Sequence, residues 1–87
     1  MRVEAGVAIL EGDLVLDNAS RLLAEGEAAI AAGAKSFDLS RAGRLDSSAL
    51  SLLLAFKRRD AGKDLQFLNV PESLTSLARL YGIDDQF

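Results

Sequence analysis

The spacing of apolar residues switches period repeatedly along this chain, and that alternation restricts the fold more than any single residue does. Short apolar runs suited to strands, "VEAGVAILEG", "SFDLS" (36–40) and "LQFLNV" (65–70), are each followed by a stretch whose apolar residues recur every three or four positions. In the first run Val3 and Ala5 alternate with Glu4, and Val7 to Leu10 is continuously apolar, so one or two strands are expected. Gly6 reads as a break or bulge there, and Gly12-Asp13 as a turn. From Asp17 onward, Ala19, Leu22, Leu23, Gly26, Ile30 and Gly33 mark one face of a helix that Asp17 or Asn18 can cap and Gly33 can stop. "RAGR" reads as a loop after the 36–40 strand, and residues 47–60 as a second helix closed by Gly62. Pro71 suits the first position of a third helix, "PESLTSLARLYG", with Leu74, Leu77, Ala78 and Tyr81 on one face and Gly82 as its stop.

The resulting order is strand, strand, helix, strand, helix, strand, helix. Strands that alternate with helices form βαβ units with right-handed crossovers. The expectation is an α/β fold: a mixed, largely parallel four-stranded sheet flanked by three helices, with the first strand antiparallel through a tight turn. At 87 residues the whole of 1–87 reads as one domain with one modest core.

Composition removes several kinds of chemistry. There is no cysteine and no histidine, so disulfides, thiolate chemistry and a Ser-His mechanism are excluded, and zinc or copper sites are not expected. The formal net charge of −3 argues against a nucleic-acid partner, because phosphate binding relies on a basic face. The N-terminal apolar run is too short for a signal peptide, and "ALSLLLAF" falls far short of the ~20 residues that span a bilayer. A cytosolic chain without direct membrane insertion is expected.

The segment "RLDSSALSLLLAFKRR" (44–59) holds the candidate site. On a helical wheel Ala49, Leu52, Leu53 and Phe56 form the core face. Ser47, Ser51, Leu54 and Arg58 line up opposite, with Leu50 and Lys57 on a flank. One exposed leucine is ordinary and needs no explanation. The alternative is a docking face, on which small serines admit another backbone and Leu54 with Leu50 anchors it. Asp46 and Ser47 are helix N-cap candidates, and a helix start also favours anions, so a serine here can carry a phosphate without unwinding the helix. None of these serines reads as a hydrolase nucleophile, since no G-x-S-x-G surrounds them.

The cations of "KRRDAGK" (57–63) suit a helix C-terminus, a better account than a membrane or nucleic-acid patch. Asp38 and Asp46, read as lying at the C-terminal edge of a parallel sheet, offer a Mg²⁺ alternative, although such acids more often cap loop amides. Tyr81 and Phe87 read as core or tail packing. No metal and no cofactor is expected.

These segments resemble the STAS domain family (sulfate transporter and anti-sigma factor antagonist). "VAILEGDLVLDNASRLL" is similar to its second strand, glycine turn and first helix, and "FDLSRAGRLDSSALSLLLAFKRR" to its central strand, loop and Asp-Ser-Ser-Gly helix start. The most specific part is Asp38-Leu39-Ser40 followed by Asp46-Ser47-Ser48. The resemblance implies a STAS-type fold and a non-enzymatic role, and within it two branches compete. In anti-sigma factor antagonists the second serine, here Ser48, is the phosphorylation site and the partner is an anti-sigma factor kinase. In the cytoplasmic STAS subunit of the Mla phospholipid transporter, the residue after the aspartate, here Ser47, helps dock the domain on the MlaF-like ATPase subunit. "SLARLYGI" and the replacement of the motif glycine by Ala49 resemble the transporter branch. On that reading Asp46, Ser47, Leu50, Ser51, Leu54 and Arg58 meet the partner.

Overall fold

The computed structural model describes residues 1–59 and 64–86. Four strands form one sheet in the order β1 (Arg2–Glu4), β2 (Val7–Leu14), β3 (Ser36–Leu45), β4 (Gln66–Leu68). β1 pairs antiparallel with β2, whereas β2–β3 and β3–β4 are parallel. Helices α1 (Leu16–Ala31), α2 (Ser47–Arg59) and α3 (Glu72–Leu80) provide the crossovers and the C-terminal cover, and a 3-10 turn, Asp84–Gln86, follows. This is the mixed, mostly parallel α/β architecture expected from the alternation of periods.

One expected turn is formed and two expected irregular segments are strand instead. Gly6 breaks the strand rather than bulging it, and the tight turn expected after the first strand is formed there. Ala5 and Gly6 have φ of 51° and 79° and make the two-residue hairpin turn between β1 and β2, the type I′ geometry that matches strand twist. Gly12-Asp13 is not a turn. β2 runs through it to Leu14, with register shifts against β3 between Ile9 and Glu11 and between Gly12 and Leu14. Gly12, at φ 97°, supplies the backbone such an irregularity requires.

The expected "RAGR" loop is strand for the same reason, because Arg41, Ala42 and Leu45 pair with Glu11, Gly12 and Leu14. Asp13 Oδ1 accepts the Arg44 N–H at 2.8 Å and so satisfies a backbone donor where the ladder is irregular. Conversely, β4 stops at Leu68, short of the expected 65–70, because Asn69 turns to φ 55°.

The helix ends obey simple chemistry. In α1, Gly33 N–H donates to Ile30 O at 3.0 Å and Ala34 N–H to Ala29 O at 2.9 Å. In α3, Gly82 N–H donates to Arg79 O at 3.0 Å and Ile83 N–H to Ala78 O at 2.9 Å. Both are Schellman closures, which require φ > 0 at the glycine. Pro71 is the N-cap of α3 rather than its first helical residue. Gly62 and Phe87 lie outside the described residues.

The core gathers Ala8, Leu10 and Leu14 of β2, Phe37 and Leu39 of β3, and residues from all three helices, including Leu22, Leu53, Phe56 and Leu74. Val7, Ile9, Ser36 and Asp38, the alternating positions of β2 and β3, are only half-buried, so one sheet face carries the helices. The Phe37 and Phe56 rings stack with centroids 4.5 Å apart and planes within 3°. Gly26 lets α1 approach that stack, since a Cβ there would overlap the Phe56 ring carbons Cε1 and Cζ.

Candidate functional site

α2 starts where it does because Asp46 caps it. Asp46 Oδ1 accepts the Ser48 N–H at 2.8 Å, while Oδ2 accepts the Leu16 N–H at 3.1 Å. One carboxylate thus closes the N-termini of both α2 and α1, which leaves the two helices side by side with their positive ends facing the same anion. The Leu16 N–H foremost, then Ser48, holds the Asp46 carboxyl below its ordinary range, against a partial desolvation that pushes it up. The cap expected from Asp17 or Asn18 is not formed. Val15 occupies the N-cap position of α1 without a side-chain cap bond, and Asn18 Nδ2 donates instead to the Asp13 carbonyl at 2.9 Å. A local cap is redundant once a carboxylate from another segment reaches the same donors.

The outward side of α2 presents Ser47, Ser51 and Arg58 exposed, with Ser48 and Leu54 half-buried. Two shallow grooves flank it. The first, of ≈ 330 Å³, lies on the α3 side, where Leu54, Tyr81 and Ile83 face the serines. The second, of ≈ 290 Å³, lies against α1 and is lined by Leu16, Ala19, Ser20 and Leu23. Ser48 and Ser51 border both grooves and form the low crest between them. The α2 last turn is basic, and Arg59 pairs with Glu27 of α1.

Two side chains stand elsewhere than expected. Leu50, expected at the partner surface, is 4% exposed and belongs to the core; it reaches the first groove only as its floor. Its place on the flank of the wheel becomes interior because α3 packs along that flank. Tyr81, expected as packing, is 59% exposed and forms a groove wall, because α3 has already ended at Leu80.

The α1 bank of the second groove, above all Leu16 at 72% exposure, was not singled out from sequence. The available signal was the apolar run Leu14-Val15-Leu16, of which the core takes only Leu14.

The Mg²⁺ alternative does not fit the geometry. Asp38 lies inside β3 rather than at its end, and its Oδ1 accepts Asn69 Nδ2 at 3.0 Å and Ser40 N–H at 2.9 Å. Those bonds, Asn69 first, hold its carboxyl below the ordinary range. Asp46 is engaged by its two helix amides. Among the described residues no group of three acidic side chains converges as a metal site would require. No helix among them is long and apolar enough to cross a membrane.

Comparison with known proteins agrees with this architecture. The structure superposes on that of the anti-sigma factor antagonist SpoIIAA in its unphosphorylated form with a TM-score of 0.62, covering 92% of this chain and 79% of that one. At 22% identity the likeness establishes a shared fold and nothing narrower. No curated protein matches the chain significantly. A family model described as "Mlab, STAS domain" matches residues 1–87, so that the chain belongs to the STAS domain family, in the branch carrying that description.

Proposed function

We propose that this domain is a non-enzymatic subunit that docks on the cytosolic, MlaF-like ATPase of an Mla-type phospholipid ABC transporter and stabilises or regulates it. It would sit at the inner membrane of a bacterium through that complex, without entering the bilayer. The observation that carries the reading is the double-grooved outer side of α2. There two exposed serines and a half-buried leucine stand where a solvent-facing helix would ordinarily carry long charged side chains. The family-model description supports the choice of transporter.

Each residue has a role on this reading. The Ser47 hydroxyl hydrogen-bonds at the centre of the interface. Ser51 lets the partner backbone approach closely, and Leu54, backed by Leu50, offers apolar wall. Arg58 adds a charge at the rim, and Asp46 keeps the helix start in place. The test is co-purification of the domain with the transporter's ATPase subunit. Ser51→Arg puts a long charged side chain on an exposed crest, and it should abolish capture while the thermal midpoint of the isolated domain stays unchanged. Undiminished capture by a folded Ser51→Arg domain would overturn the assignment.

A second reading rests on Ser48. Its N–H is bound to Asp46 and its side chain borders both grooves, so a phosphate there would set a dianion beside the Asp46 carboxylate and across the docking crest. That is the arrangement of a phospho-switch, with an anti-sigma factor kinase as partner. Against it, Ala49, where antagonists resemble one another in having glycine, is fully buried. Intact mass after incubation with ATP and lysate separates the readings: a phosphate on the wild type that Ser48→Ala lacks supports the switch.

A further inference from the structure

We infer that the segment of the partner covering this face is an amphipathic helix that straddles the Ser48–Ser51 crest and sets an acidic end against the basic last turn of α2. This rests on the docking reading above and specifies its occupant.

The face is built from two helices, α1 and α2, with the Leu16 and Ser48 N–H groups at their starts bonded to Asp46. It therefore offers no strand edge to pair with, and recognition must proceed through side chains, the helix-in-groove mode. The relief suits that mode. A low ridge of small residues, Ser48 and Ser51, runs between two troughs, and packed helices seat the ridges of one in the grooves of the other at interaxial distances of ~8–10 Å. Both banks are apolar. Leu16 and Leu23 stand on the α1 side, and Leu54 and Tyr81 on the α3 side.

An incoming helix can therefore lay apolar residues three or four positions apart into the two troughs. The ends of the face differ in charge. Lys57, Arg58 and Arg59 occupy the last turn of α2, with Arg58 exposed and Arg59 paired to Glu27, whereas Asp17 and Asp46 lie beside the helix starts. Charge complementarity fixes the orientation: the acidic end of the occupant lies over Arg58.

The test measures binding of the purified domain to the purified ATPase subunit by calorimetry at low and high salt. Arg58→Glu should weaken binding roughly threefold to tenfold at low salt and flatten the salt dependence. Leu16→Ser, on the exposed α1 bank, should weaken it by a salt-independent factor. Hydrogen exchange on the complex should protect a helical segment of the ATPase with acidic residues at one end, and reversing one of them to lysine should restore affinity to Arg58→Glu. If Ser51→Arg abolishes binding while Arg58→Glu and Leu16→Ser leave it unchanged, or if the protected segment is a loop or strand, docking stands and the helical occupant is wrong. If the wild-type domain does not bind, or if Ser51→Arg binds normally, the docking reading itself fails.

Discussion

Leu16 and Asp46, thirty positions apart, are joined by a 3.1 Å hydrogen bond from the backbone N–H of one to the side-chain Oδ2 of the other. The bond opens α1 with the cap of α2. It thereby sets the relative height of the two helices, and with it the registry of the two grooves along the Ser48–Ser51 crest.

Asp46→Asn should break this arrangement, because an amide has one acceptor oxygen where the carboxylate uses two. One of the two helix donors is left without its partner. The expected outcome is a fall in thermal midpoint together with faster hydrogen exchange in the first turn of α1 or of α2. An unchanged midpoint would show that water replaces the carboxylate at no cost.

Stability should also fall in acid, with a sign the carboxylates dictate. Asp38 and Asp46 both have folded-state pKa values below the ordinary 3.8. Their contribution is complete well above that value and is lost as the pH falls through the lower folded-state value. Urea midpoints should therefore be level near neutrality and decline below about pH 4–5. Asp46→Asn should decline less steeply than wild type.

Gly26→Ala places a methyl group in the Phe56 ring. Helix propensity favours alanine by about 1 kcal/mol, but overpacking a stacked aromatic pair costs about 1–3 kcal/mol, so net destabilisation is expected. Combining it with Phe56→Leu should recover part of the loss, and a double-mutant cycle showing strict additivity would contradict the contact.

Leu50 and Leu54 separate the floor of the first groove from its wall. Leu50→Ala empties a core site and should cost about 2–5 kcal/mol in denaturant unfolding. Leu54→Ala, at a half-buried position, should cost clearly less and act chiefly on binding. Equal losses of stability would mean that Leu54 too serves the core.

Gly33→Ala meets no neighbouring atom, yet its φ of 101° is one that alanine rarely adopts. The expected loss is about 1–2 kcal/mol, all of it from the backbone, with the grooves and binding unaltered. A larger loss would point to a packing role for this turn.

Much of this architecture was legible in the order of residues. Apolar periodicity placed the three helices and the parallel strands, and the core face Ala49, Leu52, Leu53 and Phe56 is fully interior as the wheel requires. Gly33 and Gly82 end their helices because only glycine takes that conformation without strain. These are local rules, in which a residue's neighbours in sequence are also its neighbours in space. Tertiary structure decided whatever depended on segments far apart in the chain. Gly12-Asp13 is strand because Ala42 and Leu45 lie alongside, and Leu50 is interior because α3 covers its flank. Asp46 caps α1 because the sheet brings residue 46 beside residue 16. The second bank of the candidate site exists for that same reason: an apolar side chain becomes part of a surface only when another element is packed next to it.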